Sequence, residues 1–246
     1  MEEKERKNRR LKRWLLAAAI LVLLVTGFLL YAAVYYRADA AALYALLPDE
    51  ELAVTQTDYG WFFDGPGDEA ALIFYPGAKV EETAYAPLLR KLALRGVDVC
   101  LLKMPLHMAF FDMDRAETVL GEHSYVRWYV GGHSLGGAVA AICASKHPGD
   151  FAGVVLLAAY PTRPLDADMT ELSLYGSMDG VLDRARLEAG RQYAPGESEE
   201  LVIEGGNHAQ FGSYGPQRGD GEASIAPEEQ WTQAADFIAA GIDRAA

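Results

Sequence analysis

The sequence is poor in cysteine and in positive charge. Its 246 residues hold two cysteines, too few for a disulfide framework or a four-ligand zinc site. Cys100 and Cys143 each stand in an apolar stretch, where a small side chain packs into a core. Basic residues number 22 against 35 acidic ones. Seven of the basic and three of the acidic residues fall in the first 13 positions, so residues 37–246 carry a net charge of −17. A surface of that sign repels phosphate backbones and argues against nucleic acid as a partner. There is no internal repeat, and no low-complexity tract beyond the basic tail. Apolar side chains are not lacking: 51% of residues are hydrophobic and 11% aromatic. That composition excludes a disordered chain and suffices for one domain with a sizeable core.

The longest stretch without charge is near the start. After the basic tail at 1–13, MEEKERKNRRLKR, come 23 uncharged residues from Trp14 to Tyr36. At about 1.5 Å per residue, a helix of that length crosses a hydrocarbon core of about 30 Å. Trp14 at one end and Tyr35 and Tyr36 at the other suit the two interfaces, and the cations upstream favour the cytoplasmic side. Ala38-Asp39-Ala40 resembles a signal-peptidase site, but a cleaved signal has an apolar core of only about 7–15 residues. The expectation is therefore an uncleaved transmembrane signal-anchor at 14–36, a lipid bilayer as its partner, a connector at 37–49, and a domain at 50–246 outside the cytoplasm.

That domain alternates strand-like and helix-like runs, the pattern of a mainly parallel sheet flanked by helices, an α/β fold. LAVTQT (52–57) and YGWFF (59–63) read as an opening antiparallel pair. AALIFY (70–75), VDVCLL (97–102), a strand ending at Tyr129-Val130, GVVLLAA (153–159), ELSLY (171–175) and ELVIE (200–204) follow. Tyr85, Leu88, Leu89 and Leu92 recur at helical spacing, predicting a helix over 83–94 stopped at Gly96. Further helices are expected at 114–120, from Ser134 to His147, at 181–193 and at 228–242. Only about ten residues separate the strands at 153–159 and 171–175, so no large cap domain fits between them.

Gly132-His133-Ser134-Leu135-Gly136 matches G-x-S-x-G with a strand before it and a helix after it. A sharp strand-to-helix turn lifts the serine hydroxyl above the sheet, and the glycines avoid collisions with neighbouring backbone. The helix N-terminus then points free N–H groups at any anion formed beside Ser134. A serine hydroxyl needs a base to take its proton and a carboxylate to orient that base. Of the five histidines, His133 lies inside the turn with its side chain aimed away from the hydroxyl, His147 sits at a helix end, and His123 lies in a polar stretch. His107 follows the strand at 97–102. His208, in EGGNHAQFG, stands past the last strand at the sheet edge where pockets form. For the carboxylate, Asp179 in YGSMDGVL follows a strand, with Asp183 its nearest rival. The motifs call for no cofactor or metal.

FYPGAKVEETAYAPLLRKLALRGVDV, GGHSLGGAVAA, LYGSMDGVL and EGGNHAQFGSYGPQRGDG together resemble an α/β hydrolase. More narrowly, the chain resembles the compact membrane-anchored "α/β hydrolase fold-5" group over roughly residues 50–245. The resemblance implies a catalytic triad of Ser134, Asp179 and His208, and an oxyanion hole from the backbone N–H groups of Leu135 and Ala78. Many relatives have His-Gly where this chain has Pro76-Gly77, which leaves Lys79 as an alternative second donor. The implied activity is that of a carboxylesterase or lipase-like serine hydrolase acting on a small-molecule or lipid-like ester or thioester. A catalytically inactive binding protein at the cell surface is the alternative. MPLHMAFF (104–111) offers side chains for an acyl pocket, although core packing explains it equally well. The glycine-rich stretch from Phe211 to Ile225 is either a lid or an ordinary surface loop.

Overall fold

The computed structural model describes residues 2–245. They form two units, divided between Tyr35 and Tyr36. The first is dominated by helix α1, Glu2–Ala33. It begins within the basic tail, whose Glu, Lys and Arg residues are good helix formers, and it ends at Ala33 rather than at Tyr36. Its stretch from Lys4 to Ala33 is long and apolar enough to cross a membrane. Trp14, Leu23, Val25 and Leu30 are all exposed along it, an apolar surface of the kind that lipid covers.

In the second unit the connector is not featureless. Asp39 caps a short helix, α2 (Ala40–Tyr44), by accepting the Ala42 N–H at 3.1 Å. The strands are β1 (Ala53–Gln56), β2 (Gly60–Asp64), β3 (Ala70–Tyr75), β4 (Val97–Leu102), β5 (Arg127–His133), β6 (Gly153–Leu157), β7 (Thr170–Gly176) and β8 (Glu197–Ile203). They form one sheet in the order β1-β2-β4-β3-β5-β6-β7-β8. β1, β2 and β4 pair antiparallel, and every other pairing is parallel. The architecture is thus the mainly parallel, helix-flanked sheet expected from the alternation.

Every residue of β3 and β4 is buried, because helices cover both faces. Leu72 and Phe74 point into a cluster with Leu88 and Leu92 of α3 (Ala86–Ala93) and with Trp231 and Ile238 of α7 (Pro227–Arg244). Ile73 and Tyr75 face the opposite cluster, with Val119 of α4 (Arg115–Leu120) and Val139 and Ala140 of α5 (Leu135–Lys146). Both cysteines are buried and free.

Three expected boundaries move, each for a local reason. Before α3, residues Glu82–Tyr85 form a 3₁₀ turn, and Pro87 falls in the first turn of α3, where its missing N–H has no intrahelical partner to lose. Helix α6 (Arg184–Gly190) starts after Asp183, whose carboxylate caps it by accepting the Arg186 N–H. β8 begins at Glu197, three residues earlier than its apolar run, since backbone pairing with β7 continues through Glu197 and Ser198.

Candidate active site

Strand β5 runs directly into α5 through Ser134, whose backbone stands at φ 54°, ψ −120°. A non-glycine residue in this region costs about 1–2 kcal/mol, so the turn must be held. The Ser134 N–H donates to Leu157 O at 2.9 Å and its carbonyl accepts the Ala138 N–H at 3.1 Å. The flanking glycines allow the close approach. A Cβ on Gly132 would lie 2.4 Å from Tyr75 O, and one on Gly136 would lie 2.2 Å from the same atom. The pattern that marks the turn in sequence therefore serves contact with the end of β3.

His208 follows β8 and Asp179 follows β7, and the structure brings them together. His208 Nδ1 lies 2.8 Å from Asp179 Oδ2, with both side chains almost fully buried. Asp179 Oδ1 accepts the N–H groups of Val181 and Leu182, each at 2.8 Å, so the carboxylate cannot turn. Burial opposes its ionisation, but the hydrogen bond and charge of His208 and the two amides outweigh it, and the carboxyl sits below its usual 3.8. A carboxylate only accepts, so Nδ1 donates and Nε2 of the neutral ring is left with its lone pair. Nε2 is buried and has no partner among the described residues. Ser134 and His208 line one cavity of about 560 Å³.

Asp183 caps α6 instead of reaching His208. The other histidines are committed elsewhere: His123 to Tyr59 at 3.0 Å, His147 to Glu117 at 2.9 Å, and His107 beside Glu82 at 3.9 Å. The ligand atoms of Asp114, Glu117 and His147 lie within 4.8 Å of one another. That group is outside the Ser134 cavity, and Lys146 already pairs with Asp114.

Among the described residues, neither the Ala78 nor the Leu135 N–H has a hydrogen-bond acceptor. Lys79 is not an alternative donor, because its N–H is given to His107 O at 2.7 Å. The loop carrying Ala78 is tied to the serine turn through Tyr85, expected only as a helix-packing residue, and His133. Gly77 N–H donates to the Tyr85 hydroxyl at 3.0 Å, and that hydroxyl lies 2.8 Å from His133 Nδ1. The His133 ring points beneath the turn and rests 4.4 Å from the His208 ring. Burial first, then the neighbouring His208, hold His133 well below the usual 6.5, so it stays neutral. A second unanticipated residue is Asp220. Its Oδ1 accepts the N–H groups of Gly180 and His208 at 3.1 and 3.2 Å, and its Oδ2 accepts that of Ala209 at 2.8 Å. It thereby staples the Asp179 loop to the His208 loop.

Two open alternatives are narrowed. The cavity is walled by Ala138, Ala158, Ala159, Tyr160, Leu182 and Tyr193, among others, and by no residue of 104–111. Met104, Met108 and Ala109 are core residues, while Phe110 and Phe111 are exposed elsewhere. The Phe211–Ile225 stretch lines none of this cavity either; Phe211 to Tyr214 are buried, and Asp220 anchors the stretch from below.

Comparison with known proteins agrees on the fold. The sequence pattern of the alpha/beta hydrolase family matches residues 71–232. Among solved structures, the chain is similar to a membrane phospholipase A described as a bacterial virulence factor. The identity there is 16%, covering 94% of this chain and 99% of that one, with a TM-score of 0.56. It is also similar to Est1E from Butyrivibrio proteoclasticus, with 14% identity, coverage of 79% and 100%, and a TM-score of 0.55. The esterase domain of a Rhodothermus marinus protein matches at 14% identity, 79% and 98% coverage and a TM-score of 0.55. No curated protein matches the chain.

Proposed function

The chain belongs to the alpha/beta hydrolase family, and from that premise we propose that it is a membrane-tethered serine hydrolase cleaving an ester or thioester through Ser134, His208 and Asp179. The observation that carries this reading is the state of His208: buried, with Nδ1 held by Asp179 and a bare Nε2 at the cavity that Ser134 lines.

The chemistry follows from those groups. Ser134 Oγ attacks the carbonyl carbon while His208 Nε2 takes the hydroxyl proton. The carbonyl π electrons move onto oxygen, and the anion is met by the Ala78 and Leu135 N–H groups at the head of α5. When the tetrahedral intermediate collapses, the bond to the alcohol or thiol breaks and His208 returns the proton to the leaving group. Water, deprotonated by the same nitrogen, then releases the acid from Ser134. Asp179 stays ionised throughout and stabilises the imidazolium.

The largely apolar walls favour an acyl group as the occupant of the cavity. The basic tail and apolar α1 favour a single-pass anchor with its N-terminus cytoplasmic and the hydrolase domain outside. A likeness of fold to a membrane phospholipase A is compatible with a lipid-like ester. Turnover of p-nitrophenyl esters of graded acyl length tests the proposal. Ser134→Ala is expected to lower kcat roughly 10⁶-fold, and Asp179→Asn roughly 10⁴-fold by spoiling the histidine tautomer. Equal turnover by wild type and Ser134→Ala would sink it.

A further inference from the structure

The segment Tyr36–Asp39 lies only two residues beyond the end of α1 at Ala33, counting Val34 and Tyr35. It is hydrogen-bonded to both loops that flank the candidate active site. On one side, the Tyr36 N–H donates to Lys79 O at 2.7 Å, and the Tyr36 carbonyl accepts the Glu81 N–H at 2.9 Å. The Glu81 carboxylate in turn accepts the Ala38 N–H at 3.1 Å. On the other side, the Asp39 N–H donates to Ser213 O at 2.9 Å, and the Ser213 hydroxyl donates to the Asp39 carboxylate at 2.7 Å. The Tyr36 hydroxyl accepts the Arg218 N–H at 3.2 Å, and its ring packs on Tyr214 at 5.4 Å. Ser213 and Arg218 belong to the stretch that joins His208 to its staple, Asp220.

The first set of bonds converges on a strained residue. Lys79 has φ 57°, a conformation that a lysine keeps only when its surroundings impose it. Its N–H is held by His107 O and its carbonyl by the Tyr36 N–H. Ala78, the expected oxyanion donor, is the residue before it. Gly77 on the other side of Ala78 is fixed by the Tyr85 hydroxyl. The Ala78 amide is therefore bracketed by two pinned neighbours, and one of the pins is Tyr36.

We propose that Tyr36–Asp39 is a positioning strap for catalysis, which aims the Ala78 N–H through Lys79 and braces the His208 loop through Ser213 and Arg218. The inference rests on the serine-hydrolase reading for its catalytic consequence. The strap touches no reacting atom, and it acts by holding backbone at the angle the developing oxyanion requires. The first residues past the apolar helix are then part of the active-site frame and not a passive tether.

The test uses the full chain in lipid nanodiscs. Tyr36→Pro deletes the N–H that holds Lys79 together with the side chain that meets Tyr214 and Arg218, and Asp39→Ala deletes the acceptor for Ser213 and the cap of α2, both of which Asp39→Asn retains. Tyr44→Ser, an exposed position on the same connector, serves as control. Tyr36→Pro is expected to lower kcat about 10²-fold while KM changes by less than about two-fold, because misaiming acts on the transition state. Asp39→Ala should lower kcat less, Asp39→Asn should restore it, and Tyr44→Ser should match wild type. Hydrogen exchange of residues 78–82 should accelerate in Tyr36→Pro and stay unchanged in the control. Unchanged kcat in both Tyr36→Pro and Asp39→Ala, or an Asp39→Asn as impaired as Asp39→Ala, overturns the strap. If Tyr36→Pro does not fold, the Asp39 pair decides. If wild type turns over no ester, the hydrolase reading fails separately, and exchange at 78–82 still judges the strap: acceleration supports it and constancy overturns it.

Discussion

Of the non-glycine residues that stand in left-handed backbone around the candidate active site, Ser134 at φ 54° and Lys79 at φ 57° are held by opposite means. The Ser134 turn is largely built from its own neighbourhood: a strand before it, a helix after it, and Gly132 and Gly136 where any Cβ would strike Tyr75 O, with one remote bond from the Ser134 N–H to Leu157 O. The Lys79 turn has little local support, a single bond from the Val80 N–H to Gly77 O at 3.3 Å. Its two backbone groups are taken by Tyr36 and His107, which lie far away in the chain. Strain held locally is written as a motif, and strain held by tertiary contacts is not.

The contrast can be broken at its strongest point with Gly136→Ala. The new methyl would sit 2.2 Å from Tyr75 O and 2.4 Å from Pro76 O, backbone atoms that cannot swing aside. Since those carbonyls begin the loop that carries Ala78, both turns should be disturbed at once. Overpacking of this kind costs roughly 1–3 kcal/mol, and a 1 Å displacement of the site lowers kcat about 10²-fold. Thermal unfolding and ester turnover check the two effects, and a variant as stable and active as wild type would contradict the local account.

Tyr85→Phe tests the link between the turns. It strands the Gly77 N–H and removes the hydroxyl partner of His133 Nδ1. Leaving such buried groups unpaired costs about 1–3 kcal/mol. With the Ala78 loop loosened, kcat should fall about 10-fold, a weaker loss than removal of an oxyanion donor outright. A rise in KM alone, with kcat unchanged, would show that Tyr85 serves substrate binding instead.

The smallest effect is one of pH. His133 has its folded pKa well below the usual 6.5, so below about pH 6.5 the unfolded chain takes up a proton that the folded chain refuses. Its contribution to stability is therefore intact above that pH and is lost as pH falls through it, by at most about 1.4 kcal/mol per pH unit. His133→Gln should flatten the decline of the unfolding temperature between about pH 6.5 and 5 relative to wild type. An identical decline in both would mean that His133 is already protonated in the folded state.

How much of this was legible beforehand follows the same division. The strands and the helix-flanked sheet were readable because their apolar runs are local. Asp179 and His208 were readable as residues just past strand ends, and in the structure their side chains lie 2.8 Å apart. Tyr85, Asp220 and Tyr36 were not readable as parts of the site. Each acts through a hydrogen bond to backbone that is remote in sequence, and none carries a compositional mark. Tyr85 in particular sat on a helical stripe with Leu88, Leu89 and Leu92, where an aromatic side chain signals only burial. The apolar 104–111 run was ambiguous for the converse reason, since an apolar run fits a pocket wall and a core alike, and Met104, Met108 and Ala109 fill the core. The true walls near Ser134 are alanines and the start of α6, which look unremarkable in sequence.

The measurement that tests the central claim most directly is covalent: incubation of the full chain with a fluorophosphonate, followed by peptide mapping of the adduct by mass spectrometry. The account predicts a single phosphonylated residue, Ser134, with labelling strongly slowed in His208→Gln. An unlabelled wild-type chain, or an adduct on any other residue, would contradict it.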